Sequence, residues 1–332
     1  MCISVLSTAH PHYPFILISN RDEFISRPTA RASWWEPHNS HVLGGRDLQR
    51  KEQGTWLAIT KQGRIAILTN FREEGDFDID NSKSRGAITN TFLCVPPDST
   101  ETDEEFVSRL MRDVGIHNVG GFTMLFGRLK EGKEVEGKVS MPGLAVVSNR
   151  TETSDQLKRI ATRPGEVHGV SNSHFGDMSW PKVVHGEQLL KQAIQANVTR
   201  KDSQEDFIES LFDILCIDAL PKRKRGENWD MFVRHMRNSI MIPPAKGELT
   251  ELKDSDELRS LDENAQPGTA EMKVGKGAYG TSKQTVILVH REGKVTFVER
   301  TLYDGDGLPV STSERDLKHE FFIEGWDGTS KL

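Results

Sequence analysis

The residue with the clearest chemical potential is the second one. In Met1-Cys2-Ile3, loss of the initiator methionine leaves a thiol beside a free α-amine. An α-amine titrates near ~8 and a free thiol near ~8.5, so close to neutral pH the amine can take the thiol's proton. One residue then carries both nucleophile and base, by the logic of the N-terminal threonine variant of the catalytic triad. A cysteine at position 2 can equally have no role, so its company decides. Asn20-Arg21-Asp22-Glu23 follows an apolar run and is expected back near the chain start, where Arg21 would lower the thiol pKa and Asp22 would orient the amine. Such a charged tetrapeptide is otherwise an ordinary loop. Asn70 and Asn172 each close a β-rich run and are neutral donors suited to a developing oxyanion. Either can also be a turn residue satisfying its own backbone.

Elements must bring these residues together. Residues 2–6 and 15–19 are β-rich and are separated by Ala9-His10-Pro11-His12-Tyr13-Pro14, which predicts a hairpin. A loop carrying Trp34-Trp35 follows. Residues 55–60 and 64–69 flank Lys61-Gln62-Gly63, a second hairpin. Phe106, Leu110 and Met111 recur at helical spacing after Thr102, with acidic residues favouring the first turn. Residues 122–126, 144–147 and 167–171 read as strands. Leu189, Leu190, Ala193 and Ile194 form a helical stripe, and another helix is expected over 205–216. Residues 285–290 and 294–299 close the chain as a hairpin, with a last apolar stretch at 321–323. The expected class is α+β: a four-layer αββα sandwich of two antiparallel sheets in one domain over 1–332. Residues 243–276 are polar and aperiodic and read as a flexible surface insertion.

Composition narrows the function. The 332 residues carry a net charge of −6, with 36% apolar and 28% charged residues. Bulk electrostatics therefore give no reason to expect nucleic acid as a partner. The basic run Lys222-Arg223-Lys224-Arg225 reads as a solvated loop. Cys2, Cys94 and Cys216 are too few and too scattered for a disulfide framework or a zinc site. No signal-peptide pattern and no run of about 18 apolar residues is present, so no integral membrane segment is expected and a reducing, cytoplasmic compartment is.

Met1-Cys2, Asn20-Arg21-Asp22-Glu23-Phe24, Ser26-Arg27-Pro28, Gly44-Gly45-Arg46-Asp47, Gly54-Thr55-Trp56-Leu57, Gly169-Val170-Ser171-Asn172 with Trp180 and Lys182, and Tyr279-Gly280-Thr281 together resemble the NRDE family of transport and Golgi organisation proteins. The series spans nearly the whole chain. The family in turn looks like a relative of the N-terminal-nucleophile hydrolases of the bile-salt hydrolase and penicillin-acylase type. That resemblance implies Cys2 as nucleophile, with Arg21, Asp22, Asn70 and Asn172 beside it, and Asn20, Glu23, Trp56 and Tyr279 as ligand-binding side chains. Two departures stand out. The Arg21-Asp22 spacing differs from that branch, and Ser282 occupies a position where many relatives carry Arg. Strand alternation would turn the adjacent Lys283 to the opposite face.

The resemblance implies an intracellular role in Golgi organisation and secretion, with association to Golgi or mitochondria, and in handling haem or acyl lipid. The alternative is a Cys2-dependent amidohydrolase that cleaves a non-peptide C–N amide bond. The expected ligand is small: haem, acyl-CoA or an amide. No cofactor is required, haem being cargo. For that cargo His10, His12, His168 and His174 are candidate ligands, as is a Cys2 thiolate, although a surface or turn histidine is the commoner case.

Overall fold

The computed structural model describes residues 1–71, 73, 84–135, 138–221, 234–244, 278–305 and 307–327. In chain order the strands are β1 (Ile3–Ser7), β2 (Phe15–Phe24), β3 (Thr29–Trp35), β4 (Asn39–Asp47), β5 (Leu57–Thr60), β6 (Arg64–Asn70), β7 (Phe122–Arg128), β8 (Lys133–Val135), β9 (Lys138–Ser140), β10 (Leu144–Ser148), β11 (Lys158–Ile160), β12 (Val167–Ser171), β13 (Tyr279–Val289), β14 (Lys294–Thr301) and β15 (Asp316–Phe322). The α-helices are α1 (Arg85–Leu93), α2 (Asp103–Asp113), α3 (Pro181–Arg200) and α4 (Gln204–Leu215). One sheet runs β12-β1-β2-β13-β14-β15 and the other β11-β10-β7-β6-β5-β4-β3, all antiparallel; β8 and β9 form a small separate hairpin.

Period-two patterning explains the layering. On β2, Phe15 and Leu17 face the second sheet, whereas Ile16 and Ile18 face α3 and α4. Ile287 and Val289 on β13 repeat the first choice, Val286 and Leu288 the second. The second sheet presents Leu57, Ile59, Ile65 and Ile67 inward, and Ala58, Ala66 and Leu68 outward against Ile88, Phe92, Phe106 and Leu110 of α1 and α2. The result is helices, sheet, sheet, helices: the expected αββα sandwich of two antiparallel sheets. Each fully buried aliphatic or aromatic side chain in these layers contributes about 1.5–3 kcal/mol. Helix starts follow local rules. Thr102 and Glu105 form a capping box for α2, Pro181 opens α3, and Ser203 caps α4.

Four expectations change. The charged run Asn20–Glu23 is strand, not loop, because β13 supplies a ladder partner from Tyr279↔Phe24 to Gln284↔Asn20. Trp34 and Trp35 lie in β3 rather than a loop. Helix α1 goes unforeseen, since Arg-Gly-Ala-Ile-Thr-Asn-Thr-Phe-Leu shows little apolar period. Alternation also fails at Lys283, where a β-bulge between Thr281 and Lys283 interrupts the register. The basic run at 222–225 and nearly all of the polar 243–276 stretch lie outside the described residues.

Cys94 closes α1 half-buried against the outer core, and burial pushes its thiol up to about 11. Unfolded, the same thiol ionises near 9, so between about pH 9 and 11 the unfolded chain loses a proton that the fold retains. The fold therefore loses stability as pH rises through that window. A Cys94→Ala chain is expected to show a smaller fall in its urea midpoint from pH 8.5 to 10.5 than the parent; equal falls would show that this thiol is not responsible.

Candidate active site

Strand β1 runs between β2 and β12, and this fixes the chain start. Ile3 pairs with Asn20 on one side and Ser171 on the other, and the Ser171 hydroxyl donates to the Cys2 carbonyl at 2.6 Å. Cys2 Sγ lies 3.4 Å from the Asp22 amide nitrogen and 3.6 Å from the Asp22 carbonyl oxygen. The Met1 ammonium pairs with Asp22 Oδ2 at 2.9 Å and donates to the Tyr279 hydroxyl. Asp22 Oδ1 accepts from Thr281 Oγ1 at 2.7 Å, and Lys182 Nζ, wholly buried, donates to the Met1 carbonyl. A cleft of about 650 Å³, counting its open mouth, takes in Cys2, Arg21, Asp22, Glu23, Trp56, Asn70, Asn172 and Tyr279.

Electrostatics describe a resting site while Met1 is present. Burial lowers the pKa of the terminal amine more than Asp22 raises it, and Lys182 lowers it further. Burial also raises the Cys2 thiol and outweighs the downward pulls of the terminal ammonium and Arg21. Arg21 is thus a minor influence on the thiol, contrary to its expected role. Its guanidinium donates to Ser282 Oγ at 3.1 Å, lies 3.6 Å from Glu23 Oε2, and stacks 4.3 Å from the Trp56 ring centroid. Ser282 therefore holds Arg21, and Lys283 is paired with buried Glu299 at 3.2 Å.

The two asparagines meet across the cleft, where Asn172 Nδ2 donates to the Asn70 backbone carbonyl. Both Oδ1 atoms are buried without a hydrogen-bond partner among the described residues. Neither side chain bonds its own turn. Asn20 is a correction: its amide donates to the Leu215 and Ile240 carbonyls at 2.8 and 2.9 Å, tying β2 to the helix layer, and it does not line the cleft. Glu23 and Trp56 do line it. Tyr279 forms its floor, only 1% exposed, with its hydroxyl pKa raised well above ordinary by burial. The candidate haem histidines also lie outside the cleft lining. His10 Nδ1 accepts from the His12 and Tyr13 amides and its Nε2 donates to Asn197 at 2.9 Å; His168 meets Glu166 at 2.6 Å; His174 stands edge-on to Phe71.

Sequence reasoning assigns no role to five contributors, although Arg27, Asp47, Gly54 and Lys182 stand in its motif series. Lys182 follows Trp180-Pro181 like any helix-opening lysine, with nothing local to mark its burial. Arg27 and Asp47, paired at the cleft mouth, come from separate elements. Gly54 and Gly86 abut backbone to backbone, so a Cβ on Gly54 would sit 2.5 Å from the Gly86 carbonyl carbon. Repeated glycines at 44, 45, 54 and 63 are the signal that could have shown such close approach.

Residues 1–304 match the family model described as Transport and Golgi organisation 2. The chain belongs to this family. Relatives of the Transport and Golgi organisation 2 family include the human Transport and Golgi organization protein 2 homolog, 29% identical over 298 residues and covering 89% of this chain and 88% of that protein. The Drosophila melanogaster Transport and Golgi organization protein 2 is 27% identical over 302 residues, 87% of each chain. Among solved structures, a Caenorhabditis elegans N-acylethanolamine-hydrolyzing acid amidase ortholog superposes with a TM-score of 0.41 at 11% identity, over 67% of this chain and 88% of that one. A C2A mutant of Clostridium perfringens conjugated bile acid hydrolase gives 0.35 at 11% identity, over 97% of each. No helix of the described residues is long and apolar enough to cross a membrane.

Proposed function

We propose that this family member is an N-terminal cysteine amidohydrolase acting on a non-peptide amide. One observation carries the reading: Cys2, Asn70, Asn172 and Asp22, whose carboxylate lies 2.9 Å from the Met1 amine one residue before Cys2, converge on one cleft. After loss of Met1, the Cys2 amine takes the thiol proton and sulfur attacks the carbonyl carbon, forming a C–S bond. Amide donors of Asn70 and Asn172 hold the oxyanion. The Cys2 ammonium gives its proton to the leaving nitrogen as the C–N bond breaks. Water, deprotonated by the same amine, then attacks the thioester; the acid leaves and the thiol is restored. Asp22 holds the amine throughout. The Golgi-organising role in the names of the human and fly relatives, and handling of acyl lipids in the cytoplasm, fit hydrolysis of an acyl amide. Carriage of haem or acyl-CoA is the alternative; it needs no free amine on Cys2.

Intact mass and thiol labelling test the reading. The purified chain is expected to begin at Cys2, and iodoacetamide is expected to label that thiol well below pH 8, while Cys94, pushed up to about 11, stays slow. Cys216 is exposed, so the experiment uses a Cys216→Ser background. A chain that keeps Met1, or carries an acetylated N-terminus, sinks the mechanism. Loss of acyl-amide turnover in Cys2→Ala with haem binding intact in both chains favours the hydrolase; haem binding with no turnover in either favours the carrier.

A further inference from the structure

An edge strand leaves amides and carbonyls without a ladder partner, and folds usually cover, cap or shorten such edges. The two large sheets have four edges, and three are dealt with in one of these ways. On β12 the Gly169 amide donates to Glu187 Oε1 of α3 at 2.6 Å. On β3 the Ala32 amide donates to Glu299, and the Ala32 carbonyl accepts from His319 Nε2 at 3.1 Å. Strand β11 is only three residues long. The fourth edge, β15, runs seven residues and pairs with β14 on one side alone. Among the described residues, none of its backbone groups makes a hydrogen bond outside that ladder. Leu317, His319 and Phe321 turn towards the second sheet, where His319 meets Ala32 and Phe321 meets Trp34. Asp316, Lys318, Glu320 and Phe322 take the other face and are exposed, Phe322 at 62%.

We infer that β15 is a self-association edge, through which two copies of this chain pair and their six-stranded sheets join into one. The residue order makes the edge complementary to itself. In an antiparallel pair about a twofold axis at His319, Lys318 of each copy lies opposite Glu320 of the other, and Leu317 opposite Phe321. Phe322 lies opposite Asp316 and diagonal to Lys318 of the second copy, whose apolar stem covers its ring. Charge also fixes the register. Sliding one strand by two residues sets Lys318 against Lys318 or Glu320 against Glu320, and sliding it by one turns the inner face outward. The other charges at the edge leave this pattern intact. Lys294 Nζ lies 3.1 Å from Glu320 Oε1 within one copy, and Lys318 Nζ lies 3.4 Å from the same oxygen and 3.5 Å from Glu205. Each copy therefore presents a row of alternating sign, and two such rows set antiparallel interlock. No residue of β14 or β15 lines the cleft, so pairing leaves it open.

Sedimentation equilibrium on the full chain tests the edge without reference to turnover. An edge-to-edge contact is small, so a Kd on the order of micromolar is expected. The mass should approach twice 37.4 kDa in concentrated solution and return to 37.4 kDa on dilution. Lys318→Glu and Glu320→Lys each set like charges opposite one another, and each is expected to weaken pairing about tenfold or more. Mixed in equal amounts, the two variants restore opposite charges at both positions and are expected to pair about as tightly as the parent. The double variant, with the two charges exchanged, is expected to do the same. Phe322→Ser alters a side chain that is already exposed, so it is expected to weaken pairing several-fold with an unchanged melting temperature. It guards against a charge variant that misfolds. The inference falls if the parent keeps its single-chain mass at about 100 μM, some hundredfold above that Kd. It falls equally if a dimer forms that neither charge variant nor Phe322→Ser weakens, or if mixing two folded charge variants restores nothing.

Discussion

A Cys2→Ala chain is expected to lose acyl-amide hydrolysis by a factor on the order of 10⁴–10⁶ while its melting temperature stays close to the parent's. The size follows from the proposed mechanism, in which thiol and α-amine of Cys2 work as one unit and the amine of the variant has no thiol left to activate. The small stability effect follows from geometry. The thiol makes only long contacts with the Asp22 backbone, and the β1 ladder begins at Ile3. Asn172→Ala is a useful contrast, because loss of one oxyanion donor costs about 10²–10³ in rate with the nucleophile intact. Initial rates on a panel of acyl amides, read beside thermal melts of the same preparations, check this. Equal rates for Cys2→Ala and parent would remove Cys2 from the chemistry.

The largest expected effect on stability lies elsewhere. Glu299 on β14 is 2% exposed, accepts from Lys283 Nζ at 3.2 Å and from the Ala32 amide at 2.9 Å, and so joins the first sheet to β3 of the second. Lys283→Met keeps the length and apolar stem of the side chain but leaves a buried carboxylate facing a single amide. Breaking a buried pair in this way costs about 3–5 kcal/mol. Adding Glu299→Gln removes the orphaned charge, retains an acceptor for Ala32, and is expected to recover a large part of the loss. Urea midpoints of the two single variants and the double variant check it. If Lys283→Met lies within about 0.5 kcal/mol of the parent, the pair has no structural weight.

These residues mark where sequence stops being informative. That Cys2, Asp22, Asn70 and Asn172 come together at one cleft is legible because each stands at or near the end of a β-rich run, and strand ends of adjacent hairpins meet. The layered architecture is legible for the same reason, since period-two runs such as 15–18 and 285–289 announce two apolar faces. Asn20 is misjudged because it opens a polar tetrapeptide whose remaining residues become strand only through β13, more than 250 residues away, while β1 ends its pairing at Asn20. Nothing in its neighbours says that its amide faces Leu215 and Ile240 instead of the cleft. The facing of Lys283 is misjudged because a bulge is a property of two strands, and one strand's residues do not disclose it. Lys182 escapes notice because lysine is almost never fully buried, so composition argues against what the fold does with it.

The buried chain start also imposes an order of events. An aminopeptidase needs a loose end, and in the finished sandwich that end is closed beneath β13 and α3. If the proposed mechanism holds, trimming is therefore a race against folding, run once per molecule. Synthesis gives trimming the advantage, since at about 5–20 residues per second Tyr279 emerges on the order of tens of seconds after Met1. Under that mechanism, a host that makes the chain faster than it trims it would be left with two populations of one sequence. They would share the same fold and differ permanently in competence, each molecule recording how quickly its first residue was reached.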